Sequence, residues 1–254
     1  MMTSASIHTE GGNGQSGLNG LKIFIFGAGS GMGAAIAKMA AARGAKIALA
    51  GRNLEKLKSV AQQLGQSVIG TYSVDLADQK RVEEVLAEHG PYDHIVTTAA
   101  ELTFTPFVDL SDEQISRMLS AKFWGPINIG RAASRHLNAQ GSVLFFSGLA
   151  AYRQAPGASV VGVLNIGLES LAAALAIELK PKRFNVISPG VVDADTWAAM
   201  PEDARSAFFQ QVSNTLPVGR VGSVTDAAHA ALAVLENGFI NGTVINVDGG
   251  GRVA

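Results

Sequence analysis

From Leu21 onward, short apolar runs alternate with longer stretches in which apolar residues recur every three or four positions. The short runs predict strands near Lys22–Phe26, Lys46–Ala50, Ser67–Ser73, His94–Thr97, Ser142–Phe146, Arg183–Ile187 and Thr243–Val247. The longer stretches predict helices over Gly33–Arg43, Leu54–Leu64, Gln79–His89, Asp112–Leu137, Val160–Leu179 and Thr225–Leu235. This alternation is the sequence form of repeated strand–helix–strand units, so the expected fold is α/β: a doubly wound, three-layer sandwich around a seven-stranded parallel sheet. Pro189-Gly190 ends the sixth strand, and Val191 to Arg220 has weak periodicity, a tryptophan and a short helical segment. It reads as a substrate-covering loop, the kind of insertion that open α/β sheets carry beyond strand C-termini.

Composition agrees with a sheet covered on both faces. Of 254 residues, 47% are hydrophobic and only 16% charged, with a mean hydropathy of +0.22. No repeat or interdomain linker interrupts residues 21–254, which are expected to form a single domain. The Ser/Thr/Gly/Asn-rich stretch 1–20 has neither a basic nor an apolar signal region and reads as a flexible tail. A net charge of −1 without any Lys/Arg run argues against nucleic-acid binding. Disulfides are excluded by the absence of cysteine. No apolar stretch is read as long enough to span a bilayer, so a cytoplasmic location without a membrane partner is the expectation.

Chemistry enters at Leu21–Gly33, where a strand runs into Gly27, Gly31 and Gly33 and then into a helical pattern. Glycines here permit a tight turn, close approach of backbone to a pyrophosphate and close helix packing, while the helix N-terminus offers its N–H groups. This points to a dinucleotide. The next strand ends Ala50-Gly51-Arg52-Asn53, where NAD sites usually place a carboxylate on the ribose; Arg52 instead suits a 2′-phosphate, and hence NADP(H). Asn53 serves equally as the cap of the following helix.

These features, together with Val74-Asp75-Leu76, Ser188-Pro189-Gly190 and Val247-Asp248-Gly249-Gly250, resemble the short-chain dehydrogenase/reductase family over essentially everything after Gly20. The resemblance implies a Rossmann-type fold. It also implies adenine contacts from Asp75 and Leu76, nicotinamide contacts near Ile187, Pro189 and Gly190, and further cofactor contacts from Ser30, Met32, Thr98, Ala99, Ala100 and Val192. The family's Asn-Asn-Ala-Gly stretch is here Thr97-Thr98-Ala99-Ala100. Its proton-transfer residues align with other side chains: Val161 at the tyrosine, Asn165 at the lysine, Gly148 at the serine with Ser147 one residue away, and Lys122 at the asparagine. Lys122, arriving from the neighbouring helix, is expected to replace the lost cation in part; the alternative is a lysine that snorkels to the surface.

The candidate catalytic residues are therefore Lys122, Ser147 and Tyr152, with Ser159 as a further donor. Arg153 beside Tyr152 would make the phenol more acidic if the pair faced the site. Trp197 is placed to line a pocket, whereas Trp124 reads as packing. Asp193, Asp195 and Glu202 lie in the covering loop, and His8, His89, His94, His136 and His229 show no metal-ligand spacing. The expected function is an atypical NADP(H)-dependent oxidoreductase acting on a small apolar carbonyl or alcohol. Its rivals are a catalytically silent NADP-binding sensor and a non-redox enzyme on the same scaffold. The resemblance further implies a homodimer or homotetramer joined through the helices at Asp112–Leu137 and Val160–Leu179.

Overall fold

The apolar run at Lys22–Phe26 forms β1, and its alternation decides the layering. Ile23 and Ile25 face one core, while Phe24 and Phe26 face the other, and all four are buried. The computed structural model describes residues 17–254. Most of the expected tail therefore lies outside the described residues. Its last four residues are not a tail: Leu18 is buried and Gly20 N donates to Gly44 O at 2.9 Å.

After β1 come α1 (Gly31–Ala42), β2 (Lys46–Gly51), α2 (Leu54–Leu64), β3 (Val68–Ser73), α3 (Gln79–His89) and β4 (Tyr92–Thr97). Next are α4 (Asp112–Leu119), a π-helical turn (Ser120–Trp124), α5 (Gly125–His136), β5 (Leu137–Phe146) and α6 (Ser159–Glu178). The remainder is β6 (Arg183–Pro189), β7 (Val192–Asp193), α7 (Glu202–Thr215), β8 (Gly222–Ser223), α8 (Val224–Glu236) and β9 (Val244–Val247).

The main sheet is parallel with the order β3-β2-β1-β4-β5-β6-β9, and β7 pairs separately with β8. Residues of α1, α2 and α8 fill the core on the Ile23 face, and residues of α3, α5 and α6 fill it on the Phe24 face. Because the strand order reverses at β1, a crevice opens between the C-terminal ends of β1 and β4, where open α/β sheets bind ligands.

Two expectations need correction. The predicted helix 112–137 is present to His136 but widens into a π turn at Ser120–Trp124. Pro126 has no N–H for the Lys122 carbonyl and its ring crowds that carbonyl, so the preceding turn widens into the π form. The second concerns α6, whose apolar window has a mean hydropathy of 2.0, long and apolar enough by composition to cross a bilayer. In the structure this helix lies against the sheet through Leu168 and Ala172, and its inward face also carries Asn165 and Glu169.

Candidate active site

The glycine turn is tight behind and open in front. Gly27 has φ +81°, and a Cβ there would stand 2.7 Å from Ala99 N; a Cβ on Gly33 would stand 2.3 Å from Gly27 O. At Gly31 the nearest atom to such a Cβ is Ala194 Cβ at 3.9 Å, so this side of the turn faces space. The first N–H groups of α1, which have no partner within the helix, lie at this opening. Thr98 ties the turn down from β4: its N donates to Phe26 O at 3.0 Å and its Oγ1 to Gly27 O at 3.3 Å. A threonine thus supplies local bonding where the family carries asparagine.

From this turn a cavity of about 1080 Å³ extends along the strand ends. Its wall includes Ser30, Met32, Arg52, Asn53, Asp75, Leu76, Thr98, Ala99, Ala100, Pro189, Gly190 and Val192, so these expected cofactor residues converge. Gly33 is not on the wall; it packs behind the turn. Asn53 does both things open to it, since its Oδ1 accepts from Lys56 N at 3.0 Å as the α2 cap and the residue also lines the cavity. Arg52 Nη1 donates to Glu101 Oε2 at 2.5 Å, and Arg117 Nε lies 3.2 Å from Glu101 Oε1. Glu101, absent from the sequence reading, thus joins the end of β2 to α4 across the cavity. Nothing in its neighbourhood along the chain distinguishes it from a surface acid.

At the β5 end the widened π turn drives Lys122 inward. The lysine is buried, not snorkelling, and its Nζ donates to Phe146 O at 2.7 Å, Ser147 O at 3.2 Å and Asn165 Oδ1 at 2.9 Å. Burial pushes its pKa down to about 8, with the charge of Glu169 opposing the shift. An ammonium has three protons, and all three are engaged. Lys122 therefore clamps the end of β5 to α6.

Ser147 also lines the cavity, but its hydroxyl donates to Glu169 Oε1 at 2.6 Å. The second oxygen of Glu169 accepts a short hydrogen bond from Tyr152 OH. Two expectations about that tyrosine fail. Tyr152 is not on the cavity wall, and burial together with the Glu169 hydrogen bond pushes its pKa up to about 12 instead of lowering it. The cation over its ring is Arg252, 3.9 Å from the centroid, while Arg153 turns away to donate to Gly251 O at 2.9 Å. Ser159 is exposed and off the wall, so it is no donor either.

Glu169 is the principal residue that sequence reasoning missed. A signal exists: Val161, Asn165 and Glu169 recur every four residues on α6, so the carboxylate shares the inward helical face with two positions already singled out. The face is buried; Val161 is 2% exposed, Asn165 2% and Glu169 6%.

The covering segment closes the cavity with aromatics. Trp197 stacks on Phe104 with ring centroids 5.8 Å apart and meets Phe208 at 4.9 Å. Phe104, Trp197 and Phe208 line the cavity with Val161 and Leu216, whereas Trp124 is half-exposed beside Phe123. Of the loop acids only Asp195 reaches the wall, 3.7 Å from Lys56 Nζ. Among the described residues no three His, Asp or Glu side chains gather into a metal site. His94 bonds Ser142 Oγ at 2.8 Å, His136 meets Glu83, and His8 lies outside the described residues.

Residues 27–251 match the family described as Enoyl-(Acyl carrier protein) reductase. The chain is 29% identical over 247 residues to Short-chain dehydrogenase/reductase ATR9 of Stachybotrys chlorohalonatus, covering 92% of this chain and 97% of that one. To human 3-oxoacyl-[acyl-carrier-protein] reductase it is 31% identical over 234 residues, covering 89% and 95%. Among solved structures it resembles MalC Reductase/Diels-Alderase from Malbranchea aurantiaca, with a TM-score of 0.88, 26% identity and coverage of 94% and 99%. It also resembles a small-chain dehydrogenase in complex with NADPH, with a TM-score of 0.78, 29% identity and coverage of 93% and 100%. The parallel sheet reversing at β1, the glycine turn opening on a cavity at that reversal, and this match over nearly the whole described chain make the protein a member of the short-chain dehydrogenase/reductase family of oxidoreductases.

Proposed function

We propose that the protein is an NADP(H)-dependent oxidoreductase that interconverts a carbonyl and an alcohol on a small or medium apolar substrate. The observation that carries this reading is a single cavity that joins the open side of the glycine turn, the Arg52 guanidinium and the Ser147–Glu169 pair. The resemblance to a small-chain dehydrogenase solved in complex with NADPH supports the choice of cofactor. The nicotinamide would supply or accept the hydride.

The chain's own residues have separable tasks in this reading. Gly27, Ser30, Gly31 and Met32 cradle the pyrophosphate against the α1 N-terminus. Arg52 receives the 2′-phosphate, Asp75 and Leu76 flank the adenine, and Pro189, Gly190 and Val192 border the nicotinamide. Phe104, Trp197 and Phe208 exclude water from the reacting end. Val161, Asn165 and Gly148 occupy the family's tyrosine, lysine and serine positions, so the machinery is atypical. Lys122 meets Asn165 head-on, which reads as an exchange: the family's lysine and asparagine have traded helices while the cation stays in the same pocket.

Titration of the purified protein with NADPH and NADH, followed by reduced-nicotinamide fluorescence, tests the cofactor; a panel of ketones monitored by nicotinamide absorbance tests the reaction. Preference for NADPH with consumption by at least one ketone is expected. Failure to bind either nucleotide overturns the reading.

A non-redox reading is favoured by one observation, the buried apolar Val161 where the family places its acid, and by a neighbour named Reductase/Diels-Alderase. It predicts substrate conversion with unchanged nicotinamide absorbance. We also propose a homodimer or homotetramer through the helical stretch 112–137 and α6. Val163 and Ile166 on α6 are 68% and 47% exposed, an apolar surface suited to a second copy and tested by sizing in solution.

A further inference from the structure

We propose that Glu169 holds the proton exchanged with substrate and passes it through Ser147, a role that rests on the oxidoreductase reading above. The reacting end of the cavity lacks the family's usual proton donor. Val161 offers no proton. All three Lys122 N–H groups are taken by Phe146 O, Ser147 O and Asn165 Oδ1. Tyr152 stands off the wall with its hydroxyl on Glu169. Of the hydroxyls on the cavity wall, Ser120 donates to the Ser116 carbonyl, whereas Ser147 is the one that donates to a buried carboxylate, Glu169 Oε1 at 2.6 Å.

That orientation has a chemical meaning. A serine donating to a carboxylate keeps its oxygen lone pairs free to accept from a substrate O–H. In the oxidising direction the carbinol C–H bond breaks with its electron pair going to the nicotinamide. The substrate O–H proton passes to Ser147 Oγ as the Ser147 proton passes to Glu169 Oε1, and the C=O bond forms. Reduction is the reverse: protonated Glu169 returns its proton through Ser147 to the carbonyl oxygen while hydride enters at carbon. Atoms and charge balance with no other reagent. Tyr152 OH on the second carboxylate oxygen fixes the syn or anti lone pairs of Glu169 in place, and Arg252 covers the far face of the tyrosine.

Glu169 is nine-tenths buried and points from a helix whose remaining inward residues are apolar or amide. An uncompensated carboxylate there would be costly. It is tolerated because Ser147 and Tyr152 donate to its two oxygens and the Lys122 ammonium lies close enough to interact with its charge. Among the described residues, Lys122 and Tyr152, with Arg252 behind Tyr152, are the charged and titratable groups that interact with it, from the π turn, the turn after β5 and the C-terminal turn. Glu169 acts through Ser147 and is thus a positioning residue.

The test compares the full-length native protein with Glu169→Gln, Glu169→Asp and Ser147→Ala. NADPH affinity is read by fluorescence, and ketone reduction by a panel of aryl and alkyl ketones is followed over a range of pH. Loss of a positioned acid or base typically costs about 10² to 10⁴ in rate. Glu169→Gln should lose turnover in that range and its pH dependence, while NADPH affinity stays within about twofold, and Glu169→Asp should recover part of both. Ser147→Ala, which removes one hydroxyl and leaves the carboxylate in place, should show the same flattened profile; it decides the matter if Glu169→Gln does not fold. A Glu169→Gln protein that keeps native turnover and pH profile overturns the proposal and leaves the oxidoreductase reading standing. A native protein that binds NADPH but reduces no ketone of the panel overturns that reading, and the relay with it.

Discussion

Arg52 is bound to a carboxylate of its own chain, and this makes its contribution to cofactor choice calculable. Binding a 2′-phosphate exchanges the Arg52–Glu101 pair for an Arg52–phosphate contact. The Arg52 side chain is 66% exposed, so the pair it gives up contributes only about 0.2–1 kcal/mol after solvent screening. A charge-assisted hydrogen bond to phosphate contributes about 1.5–3 kcal/mol. The net, about 1–2 kcal/mol, corresponds to a roughly five- to thirtyfold preference for NADPH over NADH that depends on Arg52. Arg52→Ala should therefore weaken NADPH by that factor and leave NADH within about twofold. Glu101→Gln removes the internal competitor and should tighten NADPH by up to about fivefold, the full value of the pair. In an Arg52→Ala background Glu101→Gln should gain nothing, since the guanidinium it would free is gone. Fluorescence titration of the four proteins with both nucleotides, at fixed low salt, measures the cycle. Equal losses for NADPH and NADH in Arg52→Ala, or a Glu101→Gln gain that survives without Arg52, would refute the reasoning.

Three further outcomes are expected. Gly33→Ala drives a Cβ to 2.3 Å from Gly27 O, so the turn must shift; thermal unfolding should report a loss of roughly 1–3 kcal/mol, and nucleotide titration a loss of binding. Burial first, with the charge of Arg183 second, pushes the His94 pKa down to about 4 against about 6.5 in the unfolded chain. Between those values the unfolded chain binds the extra proton, so stability is full above about pH 6.5 and falls by roughly 3 kcal/mol as pH drops through 4; urea unfolding of His94→Asn should show that loss largely removed. The buried Lys122, with its pKa near 8, loses its proton before the unfolded lysine does at about 10.5, so stability should rise with pH across that interval in the native protein and not in Lys122→Met. Lys122→Met should also slow turnover, because the clamp between β5 and α6 is removed, and unchanged kinetics in that variant would exclude the clamp from function.

The strands and most helices were legible because each apolar run has one arrangement that buries it. Lys22–Phe26 is apolar at four consecutive positions, which only a sheet covered on both faces accommodates. The glycine turn was legible for a similar reason: Gly27 has a positive φ and Gly33 has no room for a Cβ, so their spacing is a record of geometry. The π turn inside the helix at 112–137 was marked by Pro126, but periodicity on both sides masked it. Where Arg52 sits followed from strand position. Its partner Glu101 did not, because the two are far apart in sequence and meet only across the crevice between β2 and the loop after β4.

The sequence by itself determined the layers, the parallel sheet and the glycine turn at the end of β1. Only the tertiary structure decided which polar side chains meet at the β5 end of the cavity. Whether Lys122 reached solvent or the interior depended on a widened turn, and whether Tyr152 faced the cavity depended on a loop that instead folds it onto Glu169. The pairing of Ser147 with Glu169 joins the end of a strand to the inward face of a helix 22 residues away. Local propensity and periodicity report on a residue's own backbone and burial; which polar atoms share a buried site is set by the packing of distant elements, and that information enters only with the fold.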